Sequence, residues 1–295
     1  MTAWELYESI RKILQDNGIE SAQLEAWEIT AKAAEVSRKN AAMWRSAEVT
    51  PLQRKTAGEM LIQRLRGKPV AYIIGEWSFY GYDFHVTSDV LIPRSDTECL
   101  CDAAIREAKK REHPQVLDLC CGSGCIGIVI AKEVPDAVVA GVDISEKALE
   151  IARGNAARHR LEENRYTARW GDVRRMSTIP GKYDILVCNP PYITAEEMKQ
   201  LDPGVSEFEP HLALFGGEDG MDFYRILAKR YASCLNPGAC ILVECGWRQA
   251  RDVMALFHIG GLTDIEIEKD LTGIERVVRA RVPLDSSSDK EHNHG

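Results

Sequence analysis

The sequence of 295 residues has no apolar run that approaches the roughly 18–20 residues of a membrane-spanning helix. Residues 1–16 mix acidic, basic and apolar side chains, instead of placing a basic stretch before an apolar core. We therefore expect no signal peptide, no membrane partner and a cytoplasmic location.

The nine cysteines lack the spacing of a metal site or of a disulfide framework. The chain has no pair of C-x-x-C knuckles, and most of the cysteines stand inside apolar runs. Buried free thiols in a reducing compartment, and no bound metal, are the expected state.

An excess of positive charge is also missing, because the net charge is −8 and the isoelectric point is near 5.5. This balance disfavours a stable nucleic-acid partner. Residues 38–68 are the exception, with eight basic side chains against only Glu48 and Glu59. A solvated helical face is the commoner meaning of such a pattern, and a docking surface for an acidic partner is the alternative. The basic residues are Arg38, Lys39, Arg45, Arg54, Lys55, Arg64, Arg66 and Lys68.

Four regions follow from the patterning along the chain. Residues 1–75 have apolar residues at helical spacing, with Ser21 as a predicted helix cap and Thr50 opening a predicted capping box. Residues 76–94 form a predicted hairpin linker, which overlaps a stretch from 70 to 92 that favours short strands. Residues 284–295 are polar and are predicted to be a disordered tail.

Residues 95–283 alternate between apolar strands and helices, the first helix being capped by Ser95 or Asp96. This alternation predicts an α/β fold: a Rossmann-like sheet, mostly parallel and covered by helices on both faces. The last two predicted strands have no helix between them, which indicates one antiparallel strand near an edge. Among the tryptophans, Trp44, Trp170 and Trp247 are expected to be packing residues and not stacking platforms for a ligand.

The stretch Cys-Asn-Pro-Pro-Tyr at 188–192 follows an apolar strand, and its two prolines make the turn stiff. In open α/β sheets, ligands bind at the carboxyl ends of the strands. Asn189 offers an amide oxygen there, Pro190 a main-chain carbonyl and Tyr192 a flat ring. Two acceptors and a ring suit the capture of a planar –NH₂ group.

A second motif, Asp-Leu-Cys-Cys-Gly-Ser-Gly at 118–124, joins the first strand of this region to its helix. Its glycines let the backbone approach a ligand, and Asp143 follows at the end of the next strand, where a carboxylate can bind a ribose. A nucleoside-containing cofactor is therefore expected. Since Gly127 completes G-x-G-x-x-G, the motif is compatible with a nicotinamide dinucleotide; methyl transfer to nitrogen is favoured because hydride transfer has no use for an amine clamp.

Five motifs together resemble the peptide chain release factor glutamine methyltransferases, over residues 60–282. They are Pro-Val-Ala-Tyr-Ile-Ile-Gly at 69–75, Ile-Pro-Arg-Ser-Asp-Thr-Glu at 92–98, Asn-Pro-Pro-Tyr-Ile at 189–193, Glu-Phe-Glu-Pro at 207–210 and Gly-Gly-Glu-Asp-Gly at 216–220. The resemblance implies a seven-stranded S-adenosylmethionine domain, a hairpin linker and a helical domain that docks the release factor. S-adenosylhomocysteine would be the product, the glutamine of a Gly-Gly-Gln loop the substrate, and the enzyme a monomer.

The resemblance also implies roles for individual residues. The catalytic group would be Asn189, Pro190 and Tyr192. The cofactor would be bound by Cys120, Cys121, Gly122, Ser123, Gly124, Asp143, Asp172, Val173 and Asn189. The glutamine would be bound by Asn189, Pro190, Pro191, Tyr192, Arg94 and Glu209, in a pocket enclosed partly by the loop at 208–217.

Two motifs depart from the family pattern. Cys120 and Cys121 replace the first two residues of a Gly-Thr-Gly-Ser-Gly turn, and Ser95 replaces a proline. A related family that methylates a ribosomal-protein glutamine can also have serine at the latter position. Two other activities remain as alternatives at this stage: transfer to an adenine amine in nucleic acid, and non-catalytic binding of S-adenosylmethionine.

Overall fold

The structure is a computed structural model that describes residues 1–284; the predicted tail lies outside these residues, except for Leu284. The helices are α1 (Ala3–Asp16), α2 (Ala22–Ala34), α3 (Pro51–Leu65), α4 (Val70–Ile74), α5 (Glu98–Ala108), α6 (Cys125–Glu133), α7 (Glu146–Arg158), α8 (Ala195–Met198), α9 (Pro203–Ser206), α10 (Asp222–Arg230) and α11 (Ala250–Ile259). The strands are β1 (Glu76–Phe79), β2 (Tyr82–His85), β3 (Gln115–Leu119), β4 (Val138–Asp143), β5 (Tyr166–Trp170), β6 (Tyr183–Cys188), β7 (Leu235–Glu244), β8 (Thr263–Lys269) and β9 (Glu275–Arg281).

The chain divides into two compact units. The first comprises residues 1–76 and 202–208, and the second comprises residues 77–201 and the chain from Glu209 onward. The short segment 202–208 therefore leaves the second unit and packs with the helices of the first. Its Phe208 ring lies 3.6 Å from the place that a Cβ on Gly67 would occupy.

The first unit is built around aromatic packing between its helices. Trp27 stacks on Trp44 with 3.7 Å between ring centroids, and Tyr7 meets both rings edge-on. Trp44 is fully buried, which confirms the prediction for this residue. At the start of α3, the side chains of Thr50 and Gln53 each bond the other's backbone N–H, so the predicted capping box is confirmed.

Ion pairs inside the first unit involve part of the basic cluster. Arg64 Nε lies 2.5 Å from Glu25, and Arg38 lies 3.1 Å from Glu28 and 2.5 Å from Glu76. Both arginines are mostly buried, so their charges are matched within the unit. The predicted basic surface is correspondingly smaller than the eight residues of the sequence.

Three local predictions were wrong. Ser21 has a dihedral ψ of 20° that does not suit a cap, and its hydroxyl donates to Glu25 at 2.8 Å instead. Neither Ser95 nor Asp96 caps α5, because residues Ser95–Thr97 form a 3₁₀ turn before it. Residues 70–74 form the helix α4 instead of a strand, since Pro69 starts it and Gly75, at φ 76°, ends it.

The second unit is a seven-stranded sheet with the order β5-β4-β3-β6-β7-β9-β8. Strand β9 is antiparallel to both of its neighbours and the other pairs are parallel, which confirms the predicted fold and its antiparallel strand. Alternate residues of each strand enter different cores: Val116 packs with α5, α6 and α7, whereas Leu117 packs with α10 and α11.

The sheet brings the two predicted motifs together. After β3 the chain winds outward through β4 and β5, and then returns to place β6 on the other side of β3. Leu119 at the end of β3 pairs in register with Cys188 at the end of β6. The turns that begin at Cys120 and Asn189 are therefore neighbours at the point where the winding reverses, which is where open sheets bind ligands. Within residues 1–284, no helix is both long and apolar enough to cross a membrane.

Candidate active site

A cavity of about 560 Å³ opens at this reversal point, entirely within the second unit. Ten of the predicted site residues line it: Arg94, Cys120, Cys121, Gly122, Ser123, Asp143, Asp172, Val173, Asn189 and Pro191. The remaining predicted residues, which are Gly124, Pro190, Tyr192 and Glu209, are not among the residues that line it.

The turn after β3 has the left-handed backbone that a close approach to a ligand requires. Gly122 and Gly124 have φ values of 53° and 78°, and Cys120 adopts φ 58° despite its side chain. A Cβ on Gly124 would lie 2.7 Å from the Tyr166 hydroxyl and 3.1 Å from the Ala152 methyl. Gly124 is therefore required for packing under the turn, whereas Cys120 and Gly122 face the cavity.

Asp143 holds two cavity-lining turns in place. One of its carboxylate oxygens accepts the Gly122 N–H at 2.9 Å, and the other accepts the Ser145 N–H at 2.9 Å. Burial raises the pKa of Asp143, and these backbone donors oppose that shift. Because a carboxylate oxygen can accept a second hydrogen bond, Asp143 can still bind hydroxyl groups of a ligand.

Asp172, on the turn after β5, is an ionised acceptor at the same cavity. Its Oδ1 accepts the Arg174 backbone N–H at 2.9 Å and the Arg174 Nε–H at 3.0 Å. Burial acts to raise the pKa of Asp172, but the Arg174 donors outweigh it and lower that pKa overall.

Asn189 follows β6 directly, and its side chain is fixed from behind. Its Nδ2 donates to the Thr97 hydroxyl at 3.2 Å, so its Oδ1 is left as the acceptor on the other side of the amide. Pro190 and Pro191 are buried, and the Gln249 Nε2 donates to the Tyr192 carbonyl at 2.9 Å. The turn is thus held on both sides of its prolines.

A second loop packs directly on this turn. Ile193 N–H donates to the Leu214 carbonyl and Gly216 N–H to the Ile193 carbonyl, each at 2.9 Å. A Cβ on Gly216 would lie 2.6 Å from both the Pro191 carbonyl oxygen and the Tyr192 Cα. Only glycine fits this contact without moving the Asn-Pro-Pro-Tyr backbone.

Arg94 and Glu209 form an ion pair beside the cavity. The Glu209 side chain is almost fully buried, and its second oxygen accepts the Ile92 N–H at 3.4 Å. Burial raises the pKa of Glu209, and Arg94 lowers it. Both oxygens of Glu209 therefore have partners within the protein, and Arg94 is the member of the pair that lines the cavity.

Several lining residues were missed by the sequence reasoning. Leu212 and Phe215 are apolar side chains at the cavity that remain 55% and 36% exposed, and His211 packs against the Phe215 ring. Leu212 and Phe215 lie in the loop that was predicted to enclose the pocket, but no pattern singled them out, whereas the position of His211 in that loop already marked it as the one histidine worth testing. Glu244, at the end of β7, does not line the cavity but accepts the Tyr192 hydroxyl at 3.4 Å. It was also missed, and the available signal was an isolated carboxylate closing an apolar strand.

The rings of Trp170 and Trp247 are 49% and 55% exposed, in contrast to the buried Trp44. Each has a local partner that does not require burial: the Trp170 indole donates to the Ile144 carbonyl at 3.1 Å, and the Arg248 guanidinium lies 3.7 Å from the Trp247 ring centroid. All nine cysteines lie within the described residues and are free thiols, and residues 1–284 contain no cluster suited to a metal ion.

Comparison with known proteins places the chain among enzymes. The release factor glutamine methyltransferase of Geobacter sulfurreducens is 37% identical over 276 residues, covering 92% of this chain and 94% of the relative. The enzyme of the same name from Koribacter versatilis is 37% identical over 285 residues, covering 96% and 99%. This chain belongs to the release factor glutamine methyltransferase family.

Two domain families agree with this assignment. Residues 5–75 match the PrmC N-terminal domain, and residues 101–202 match the Methyltransferase small domain. A solved methyltransferase from Pyrococcus furiosus, 15% identical, covers 77% of this chain and 100% of its own with a TM-score of 0.50, which supports the fold. The cavity of this family member therefore lies in a methyltransferase domain.

Proposed function

We propose that this chain transfers the methyl group of S-adenosylmethionine to the side-chain amide nitrogen of the glutamine in the Gly-Gly-Gln motif of a peptide chain release factor. The observation that carries the proposal is the position of Asn189, whose amide faces a cavity that also contains the glycine turn and Asp143. An acceptor for a planar –NH₂ group and a site for a nucleoside thus share one cavity.

The chain's residues fit S-adenosylmethionine by their chemistry. Asp143 is a carboxylate suited to ribose hydroxyls, and Cys120, Cys121, Gly122 and Ser123 present a turn without bulky side chains. Asp172 and Val173 supply an acceptor and an apolar contact on the adjoining wall, and Gly124 supports the turn from behind. When bound, the cofactor supplies an electrophilic methyl group on a sulfonium, and S-adenosylhomocysteine is the product.

Asn189 and Pro190 act on the nucleophile. The lone pair of a glutamine amide nitrogen is delocalised, which makes the nitrogen a poor nucleophile. Acceptors at the Asn189 Oδ1 and the Pro190 carbonyl bind the two N–H groups, and they bind more strongly as the nitrogen gains positive charge in the transition state. The proton becomes acidic only after the new C–N bond forms, so no strong base is needed beforehand.

The remaining proposed residues position the glutamine. Pro191 and Arg94 line the cavity, Tyr192 continues the turn beside Pro191, and Glu209 holds Arg94 through their ion pair. The exposed side chains Leu212 and Phe215 also line the cavity. Correct placement of two reacting atoms is itself a large contribution to rate, worth several kcal/mol.

We further propose that the helical region 1–75 docks the release factor, with residues 76–94 as a linker to the catalytic region 95–283. The match to the PrmC N-terminal domain supports this division, as do the exposed basic side chains of α3, such as Arg54 and Lys55. A monomer in the cytoplasm, without a stable nucleic-acid or membrane partner, is consistent with the net charge of −8.

The direct test uses labelled S-adenosylmethionine with an intact release factor and with a short Gly-Gly-Gln peptide. We expect label on the glutamine of the intact factor, a higher KM for the peptide, and no label on a factor whose glutamine is replaced. Label on a ribosomal protein or on nucleic acid instead, with the release factor unlabelled, would refute the proposed substrate.

A further inference from the structure

Asn155, on α7, is a polar side chain that is fully buried although it does not line the cavity. Placing an amide in the interior costs free energy unless its oxygen and nitrogen form hydrogen bonds within the protein. The partners of this amide therefore indicate what it contributes, and they belong to two segments that both reach the cavity.

The first segment is the end of β2, and the second is the glycine turn after β3. Asn155 Oδ1 accepts the His85 N–H at 2.7 Å, and its Nδ2 donates to the His85 carbonyl at 3.0 Å. The same Nδ2 donates to the Ser123 carbonyl at 2.9 Å. Both hydrogens of the amide are thereby used, and its orientation is determined, since only the oxygen can accept from His85. One side chain thus ties β2 to the glycine turn.

Both segments lead directly into the wall of the cavity. Ser123 lines it from the glycine turn. The chain that leaves β2 at His85 supplies further lining residues, which are Asp89, Val90, Leu91, Pro93 and Arg94. Asn155 therefore positions two parts of the wall relative to each other without lining the cavity itself.

Strand β2 is also fixed on α7 by neighbouring contacts. Phe84 is fully buried in the same hydrophobic core as Ala152 and Ala156 of α7. A ring nitrogen of His159, the residue after α7, lies 3.1 Å from the Asp83 carbonyl oxygen. Because β2 cannot slide freely on this helix, a movement of the glycine turn strains or breaks the bond from Asn155 to Ser123.

We propose that Asn155 is a positioning residue that couples the end of β2 to the binding of S-adenosylmethionine at the glycine turn. The inference rests on the proposed function, because it uses the proposed contact of the cofactor with Ser123. A cofactor bound at the turn stabilises the arrangement in which Ser123 accepts from Asn155, and that arrangement in turn holds His85. By reciprocity, an ordered β2 strengthens cofactor binding by the same factor.

Substitutions at position 155 test the effect on cofactor affinity. Asn155→Asp keeps the shape but supplies at most one hydrogen for two carbonyls, and Asn155→Ala supplies none. Both should raise the Kd for S-adenosylmethionine about tenfold or more, as expected for the loss of a buried hydrogen bond. At saturating cofactor, kcat should stay within about threefold of the wild type, because the bonds of Asn155 go to the glycine turn and to β2, so that binding is weakened and the chemical step is not.

Asn236→Ala is the matched control. Asn236 is also an amide whose Nδ2 donates within the second unit, to Asp184 Oδ1 at 2.9 Å. It lies near the start of β7, at the end of the sheet opposite the cavity, and does not line the cavity. Its substitution should leave the Kd for S-adenosylmethionine unchanged.

A second readout can be made on the wild type and does not depend on methyl transfer. The His85 backbone N–H reports on the coupling, because it bonds Asn155 Oδ1 and His85 does not line the cavity. Saturating S-adenosylhomocysteine should slow hydrogen exchange at this N–H about fivefold or more, the lower end of usual couplings between sites. The same slowing is expected in Asn236→Ala, and it should be absent in Asn155→Ala.

The outcomes separate the coupling from the proposed function. A wild type that binds the cofactor and shows this slowing, but transfers no methyl group, would refute only the proposed function. Bound S-adenosylhomocysteine that leaves His85 exchange unchanged in the wild type would overturn the coupling. A folded Asn155 variant that binds S-adenosylmethionine as tightly as the wild type would overturn it as well.

Discussion

Asp118, in β3, is a buried carboxylate whose ionisation is strongly disfavoured. It is fully buried in β3, its Oδ2 accepts the Gly127 N–H at 2.9 Å, and its Oδ1 has no partner within the described part of the chain. Burial raises the pKa of Asp118 to about 7, the Gly127 donor lowers it and Asp143 raises it. The native state therefore holds a proton on Asp118 at pH values where the unfolded chain has released it.

The sign of the effect on stability follows from this difference in proton binding. The contribution of Asp118 is fully present below its unfolded pKa, near 4, and is lost as pH rises to about 7. At about 1.4 kcal/mol per pKa unit, the loss is on the order of a few kcal/mol. Burial also raises the pKa of Glu244 to about 7, so Glu244 adds to the loss of stability over the same pH range.

We predict that Asp118→Asn flattens the decline of Tm between pH 5 and pH 8, because the amide does not ionise. The measurement is thermal unfolding across this range. Asp219→Asn is the control: hydrogen bonds from Arg225 lower the pKa of Asp219 to about 2, so its titration lies below the window. Equal slopes in the wild type and Asp118→Asn would show that Asp118 is ionised throughout.

Residue identities in the site were predictable only where local sequence implies a backbone shape. Asn189, Gly122 and Asp143 could be identified because prolines and glycines mark strand ends. Thr97 could not, since it bonds Asn189 from the turn before α5, 92 residues away in sequence. The helix caps at Ser21 and Ser95 failed for a related reason: a capping residue's side chain has alternative partners that sequence does not rank.

At the scale of elements, the site depends on a loop that packs on a turn. The backbone at 214–216 pairs with Ile193, and Gly216 touches Pro191 and Tyr192 directly. The strands follow from apolar runs and their alternation with helices, which is why the mostly parallel sheet and its antiparallel strand were predictable. The loop's register against the turn was not, because it has no periodic pattern.

Gly216→Ala should therefore displace the clamp. Its Cβ would meet backbone atoms at 2.6 Å, which cannot rotate away. We expect kcat to fall on the order of 100-fold, as for other misplacements of about 1 Å. Gly154→Ala is the matched control, because a Cβ there meets nothing within 4 Å and α7 should gain about 0.5–1 kcal/mol. Transfer rates and Tm of both variants check this, and an active Gly216→Ala would contradict the tight contact.

At the scale of the whole molecule, the chain combines a helical unit and a catalytic unit, and residues 202–208 of the catalytic half's sequence belong to the helical unit. The residue pattern predicted a helical region before an α/β region, but it could not reveal this exchange, which depends on contacts such as that of Phe208 with Gly67. The basic stretch also overstated the exposed charge, since Arg38 and Arg64 pair internally. The charges available to dock a partner are therefore those that remain exposed on α3, such as Arg54 and Lys55.

The central claim is that Asn189 acts on the substrate amine. Its most direct test is Asn189→Ala, measured for binding of S-adenosylmethionine by calorimetry and for methyl transfer to an intact release factor. We predict cofactor affinity within about twofold of the wild type and no detectable transfer. Asp143→Ala, in contrast, should weaken the binding of S-adenosylmethionine. Transfer at the wild-type rate in Asn189→Ala, or a loss of cofactor affinity large enough to account for the lost activity, would contradict the account.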